Sequence, residues 1–199
     1  MKIASLISGD TVSAESFALV QEWLQMCTEN HKDCEPEEDA PLPRHVLDID
    51  QQDVHVYETQ NELSWYICLS HCWGTRQLDA VTTCTTLPLY KQHISWAKLS
   101  KFFQDAVDFC CWLDVQYLWI DSLCILQDDK QDWQEEFSKM AAIYTNSYLT
   151  IAATKSSSGV SSCYSTARDM HKAHQIKGYN LYVCQTLPHV QNYEISFIP

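Results

Sequence analysis

A doubly wound α/β core, with a mostly parallel sheet and helices on both faces, is the fold this sequence predicts. Three observations carry it. The runs WYICLSHCWG (residues 65–74) and VQYLWID (115–121) are too uniformly apolar for surface strands and suit strands buried on both faces of a parallel sheet. Segments with helical spacing follow each of them, at residues 99–113 and 132–144. A third apolar run, YLTIAA (148–153), completes strand–helix–strand–helix–strand.

Taken in order, residues 13–27 repeat Phe17, Val20, Trp23, Leu24 and Cys27 at helical spacing. TENHKDCEPEEDAPLPR ends that helix as an acidic, proline-bearing connector. HVLDID and DVHVYET read as a hairpin covering one edge of the sheet. The 65–74 strand stops at Gly74, and residues 76–96 are Thr-rich, predicting a long surface loop. In the 99–113 helix, Leu99, Phe102, Phe103, Ala106, Cys110 and Leu113 share one face, with Lys101, Gln104, Asp105 and Asp108 off it. Asp132 is the expected N-cap of the second core helix, with Glu135 completing a capping box. Its inward stripe is expected at Trp133, Phe137, Met140 and Tyr144. YNLYVCQ and YEISFI alternate like late antiparallel strands. Residues 1–60 are read as an N-terminal helix, connector and short strands, and 61–199 as the main domain with its core at 65–155.

The chain of 199 residues carries a net charge of −13, which repels phosphate backbones and anionic membranes, so neither nucleic acid nor membrane is expected as a partner. No run approaches the roughly 18 apolar residues of a membrane span. The N-terminus is too quickly polar for a secretory signal, so a cytoplasmic location is expected. Ten cysteines in such a chain suit reduced thiols better than a disulfide framework. Cys68, Cys110, Cys111 and Cys184 stand in apolar settings, where thiols pack as small hydrophobes.

Ligands of open α/β sheets collect beyond the carboxyl ends of the strands. Ser70, His71 and Cys72 end the first core strand, and Asp121, Ser122 and Cys124 end the second. Neighbouring strands would bring all six to one rim; the alternative is a capped turn with packed thiols. On the following helix, at about 100° per residue, Glu136 falls at the edge of the apolar stripe, where desolvation raises a carboxyl pKa and suits it to proton transfer or cation stabilisation. Glu136 and Asp121 are the catalytic candidates. Ser70, Cys72, Trp73, Ser122, Cys124 and Trp133 are the substrate-binding candidates. Cys27, His31 and Cys34 have a metal-like spacing without an evident fourth ligand, so no metal site is assigned. Adjacent strand residues point to opposite faces, which sets His71 apart from Cys72 as an activating base. With four glycines in the chain there is no phosphate loop.

The stretches YICLSHCWG, FFQDAVDFCCWLDVQYLWIDSLCILQDDKQDW and EEFSKMAAIYTNSYLTIAAT resemble the fungal heterokaryon-incompatibility (HET) domain. WLQMCTENHKDCEP and LPRHVLDID are similar to the region preceding it, so the likeness covers about residues 23–154. The resemblance implies a self/non-self recognition module that triggers programmed cell death in fused hyphae. It also implies remote kinship to the Toll/interleukin-1 receptor (TIR) domain, hence a flavodoxin-like core. Some TIR domains cleave NAD with one glutamate, and DWQEE (132–136) resembles the stretch around it, which points to Glu136. The family's first strand usually ends Ser-Tyr-Cys-Trp-Gly, where this chain has His71 for the tyrosine. The family's Trp-x-x-Gln-Glu-Arg segment is missing, so the C-terminal part reads as truncated.

Two function classes follow. One is an NAD glycohydrolase that needs no cofactor and takes NAD as substrate, with Asp121 and Ser122 on ribose hydroxyls and Trp73 or Trp133 stacked on a ring. The other is a non-catalytic module acting by self-association or by docking another incompatibility-type protein. A HET-like scaffold recruited as a metabolic enzyme is the third alternative.

Overall fold

The computed structural model describes residues 9–31, 41–50, 53–71, 80–152, 162–167, 174–175 and 182–183. The chain divides into two compact units, Met1–Cys34 with Tyr164–Pro199, and Glu35–Cys163.

In the first unit, helix α1 (Ala14–Asn30) starts where the Ser13 side chain accepts the Ser16 N–H at 3.2 Å. None of its residues is buried. Thr11 donates its N–H to the Ser165 carbonyl, and the Phe17 and Tyr164 rings meet edge to face at 6.1 Å. Strands β6 (His174–Gln175) and β7 (Tyr182–Val183) pair antiparallel. The second falls within the expected YNLYVCQ strand, while YEISFI lies outside the described residues.

In the second unit, the hairpin β1 (His45–Asp50) and β2 (Asp53–Glu58) buries Val46, Leu47, Ile49, Val54 and Val56. Strand β3 (Tyr66–Ser70) leads through α2 (Leu87–Tyr90) and α3 (Lys101–Leu113) to β4 (Tyr117–Ile120). A one-turn helix α4 (Asp121–Cys124), helix α5 (Lys130–Thr145) and β5 (Leu149–Ala152) follow. Among the described residues the sheet order is β2-β1-β4-β3-β5. The chain is α/β as expected, but the sheet is mixed rather than mostly parallel. β3 pairs parallel with β4 and β5, whereas β1 pairs antiparallel with β2 and β4. The hairpin is what changes the balance, because it adds its own strand β1 directly onto β4. No helix among the described residues is long and apolar enough to cross a membrane.

Five further expectations are corrected. The YLTIAA strand is half-exposed rather than buried over its described part, where β5 has one neighbour, β3, among the described residues. The expected 76–96 surface loop is partly core. Ala80, Thr82, Tyr90 and Ile94 are buried, because Thr82 bonds both Ser122 and Gln127 through its backbone and Ile94 donates to the Val54 carbonyl at 2.7 Å. Asp105, expected off the apolar face of α3, is buried. Its carboxylate accepts from Lys101 Nζ at 2.5 Å, from the Cys163 N–H at 2.9 Å and from the Ser162 hydroxyl. Cys111 is exposed, while Cys68 and Cys110 are core thiols as read. All seven described cysteines are free thiols.

The fifth correction concerns α5. Asp129, not Asp132, is the N-cap, taking the N–H groups of Gln131 and Asp132 at 2.9 and 3.1 Å. Asp132 turns inward instead, accepting from Arg44 Nη1 at 2.7 Å and from the Leu126 N–H at 2.9 Å. That pair rotates the helix by one residue from the expected stripe. Asp132, Glu136 and Ile143 are buried with Met140 packed beside them, while Trp133 and Phe137 are 43% and 55% exposed.

Candidate functional site

The sheet topology itself selects a place for a ligand. From β3 the chain crosses through α3 to β4 on one side, and from β4 it crosses back through α5, past β3, to β5. Parallel crossovers are right-handed, so two that run in opposite directions put their helices on opposite faces. In open α/β sheets, neighbouring strands whose connections run in opposite directions are where ligands collect, beyond the carboxyl ends, and β3 and β4 are such a pair. Leu69 pairs with Ile120, which sets Ser70 and His71 beside Asp121 and Ser122 at that place.

Asp121 opens α4. Its Oδ1 accepts the Ser122 N–H at 2.7 Å, and its carbonyl is held by Gln127 Nε2 at 3.0 Å and the Ile125 N–H at 3.1 Å, so the turn is braced from the following loop. The carboxylate remains 20% exposed. His71 lies behind it with its side chain 1% exposed and Nδ1 3.8 Å from Asp121 Oδ1. The imidazole packs between Phe102 and Phe103 of α3, at centroid distances of 5.5 and 5.3 Å. That burial pushes its pKa below the ordinary 6.5, against the upward pull of the Asp121 charge. Ser70 is exposed at the end of β3, and Tyr144, in the last turn of α5, lies near enough for Ser70 and the Asp121 charge to act on its hydroxyl. Burial first, and then the Asp121 charge, raises the Tyr144 pKa to about 12, so this phenol is a donor at neutral pH. Tyr144 is the site residue that sequence reasoning missed. The signal was present, since it belonged to the expected inward stripe one turn beyond Met140.

The remaining candidates divide. Ser122 is buried, with its carbonyl accepting the Thr82 N–H and its hydroxyl without a partner among the described residues. Cys124 is buried in the core, its thiol against the Ile120 N–H at 3.4 Å, and desolvation drives its pKa far up. Trp133 is on the outer face of α5, its ring stacked on Phe137 at 4.7 Å. Cys72 and Trp73 lie outside the described residues. Glu136 is 1% exposed and takes Lys139 Nζ at 2.8 Å. It precedes Tyr144 by two helical turns, about 12 Å along the axis. The geometry thus joins Ser70, His71, Asp121 and Tyr144, and sets Glu136 deeper along α5.

Near α1, Cys27 Sγ and His31 Nδ1 are 3.5 Å apart, and Cys34 lies outside the described residues. Among the described residues no group of three or more His, Cys, Asp and Glu side chains is placed to hold a metal ion.

Asp121, Ser70 and Tyr144 thus stand beyond the carboxyl ends of neighbouring parallel strands, the place where open α/β sheets collect their ligands. Residues 66–190, which begin at β3 and contain every member of this site, match the family model Heterokaryon incompatibility protein (HET). The chain belongs to the HET family. No curated protein and no solved structure matches it.

Proposed function

We propose that this chain acts in heterokaryon incompatibility, as a fungal self/non-self module that commits the cell to death, and that this site hydrolyses NAD. One observation carries the enzymatic part: Asp121 presents a partly exposed carboxylate at the switch point, beside the hydroxyls of Ser70 and Tyr144. In NAD the nicotinamide nitrogen is already cationic, so the glycosidic C–N bond breaks with its electron pair going to a neutral leaving group, and no general acid is required. What the ribose needs is negative charge beside the oxocarbenium-like carbon and an acceptor for the proton of the attacking water. A single carboxylate meets both needs, and the products are ADP-ribose, nicotinamide and a proton. The two hydroxyls suit the ribose diol.

This reading gives the reactive carboxylate to Asp121 and a structural place to buried Glu136. Release of nicotinamide by the purified protein, followed chromatographically, is the test. Asp121→Asn is expected to slow turnover about a hundredfold or more, the scale of losing one charge-stabilising group. Glu136→Gln is expected to keep turnover within a few-fold while losing stability. The reverse pattern assigns the role to Glu136, and no nicotinamide release by the parent protein removes the enzymatic reading altogether.

Assembly without chemistry is favoured by a different observation, the exposed Trp133–Phe137 stack on the outer face of α5. If that face binds a second copy, sedimentation will show concentration-dependent dimers that Trp133→Ser with Phe137→Ser abolishes. A protein that sediments as a monomer at every concentration excludes this reading.

A further inference from the structure

Beside the Arg44–Asp132 ion pair lies a buried titratable group, His45. It is the first residue of β1 and 2% exposed, and its Nε2 has no hydrogen-bond partner among the described residues. Four charged side chains act on the ring, each from a different part of the fold. Arg44 precedes it in the chain, Glu58 of β2 is its register partner across the hairpin, Lys91 caps the carboxyl end of α2, and Asp132 comes from α5. These four are already paired with one another. Arg44 lies 2.7 Å from Asp132 and 4.0 Å from Glu58, and Lys91 bonds Glu58. Two cations against two carboxylates balance only while the imidazole is neutral.

We propose that His45 is an acid-sensitive latch on the Arg44–Asp132 pair. A proton on the ring puts a third cation into a cluster that holds two carboxylates. Of those two, Asp132 pulls harder on the ring, so its partner Arg44, rather than Lys91, is the cation displaced. Arg44 is 44% exposed and regains water on leaving, whereas Asp132, at 4%, has to be answered from within the protein. The imidazolium then takes over the charge of Asp132, Arg44 turns to solvent, and the hold that draws the start of α5 inward is released.

The sign follows from burial. Loss of hydration first, and then the Arg44 charge, hold the His45 pKa below its ordinary 6.5, against the upward pull of Asp132 and Glu58. The ring is therefore neutral above that pH, where the latch is closed, and gains its proton only on the acidic side. The folding stability contributed by neutral, buried His45 is likewise fully present above 6.5 and is lost as pH falls through the folded pKa.

Two measurements on the full chain test this, and neither depends on NAD. The Leu126 amide donates to Asp132 Oδ2 at 2.9 Å, so its proton resonance follows that carboxylate. In an NMR titration from about pH 8 to about pH 5, across the histidine range, the Leu126 amide and the Arg44 guanidinium are expected to shift with the midpoint of the His45 ring. In His45→Gln both shifts are expected to vanish. In Arg44→Gln the His45 midpoint is expected to rise by about half a unit, because a repelling charge is gone. A Leu126 amide that ignores the His45 titration, or a midpoint that Arg44→Gln leaves in place, overturns the latch. The second measurement is amide hydrogen exchange, corrected for its intrinsic pH dependence. Residues 133–137 of α5 are expected to exchange about tenfold faster below the His45 midpoint than above it, with α3 unchanged. Equal acceleration in α3 marks a general loosening in acid and also overturns the latch. If His45→Gln fails to fold, the parent titration and the Arg44→Gln midpoint still decide.

Discussion

Trp119→Ala is expected to lower the unfolding free energy by about 3–5 kcal/mol, the range for deleting a large ring from a packed core. Trp119 is fully buried on β4, which has β1 on one side and β3 on the other, so no edge lies close enough to collapse into the space left behind. Its ring meets Tyr144 edge-on at 5.5 Å with an interplanar angle of 80°. Removing it therefore also frees the side chain that carries the second hydroxyl of the site. Trp119→Phe makes a sharper comparison. The indole Nε1 has no hydrogen-bond partner among the described residues, so phenylalanine discards an unsatisfied buried donor while keeping most of the ring. It is expected to cost well under half of the alanine change. Urea unfolding of the three proteins checks both figures. An alanine variant within about 1 kcal/mol of the parent would show that β4 is not the packed centre of this sheet.

Why the sequence reveals some of this and hides the rest can be seen by comparing β4 with α5. β4 is legible because every residue from Leu118 to Ile120 is apolar, and an uninterrupted apolar run has few places to go other than the middle of a sheet. The parallel pairing of β3 with β4, and hence the meeting of Ser70 with Asp121, follows from the α3 crossover between them. Nothing local says that β1 joins β4 antiparallel. That pairing joins Leu47 to Leu118, far apart in the chain, and no local pattern encodes such a partner. For α5 the local signal misleads. The series 133, 137, 140, 144 and the series 132, 136, 140, 143 are both legitimate helical faces, and apolar content favours the first. The helix takes the second because Arg44, 88 residues earlier in the chain, draws Asp132 inward. A hydrophobic pattern contains no term for a distant ion pair, so Trp133 and Phe137 surface while Glu136 is buried. Tyr144 is hidden from sequence reasoning for a related reason: its place beside Asp121 and against Trp119 arises only where the helix meets the sheet in three dimensions.

The same ion pair yields the other large effect. Asp132→Ala is expected to destabilise the protein by about 2–4 kcal/mol, since it orphans the buried Leu126 N–H and leaves Arg44 without its closest counter-charge. Arg44 is 44% exposed and can recover hydration, which keeps the loss toward the lower part of that range. Asp132→Asn keeps an oxygen for the Leu126 N–H and surrenders only the charge, so it is expected to cost about half as much. Arg44→Gln does the opposite, leaving a buried carboxylate held mainly by one backbone donor, and is expected to cost more than Asp132→Asn. The double variant Arg44→Gln with Asp132→Asn should then lie well above the sum of the two losses, recovering about 1 kcal/mol or more of coupling. Because Asp132 also fixes the rotation of α5 and so the approach of Tyr144, the alanine variant should lose nicotinamide release along with stability, even though the substitution lies outside the site. Additive losses in the four-protein cycle would mean that the pair is a bystander, and that something other than Arg44 turns the acidic face of α5 toward the sheet.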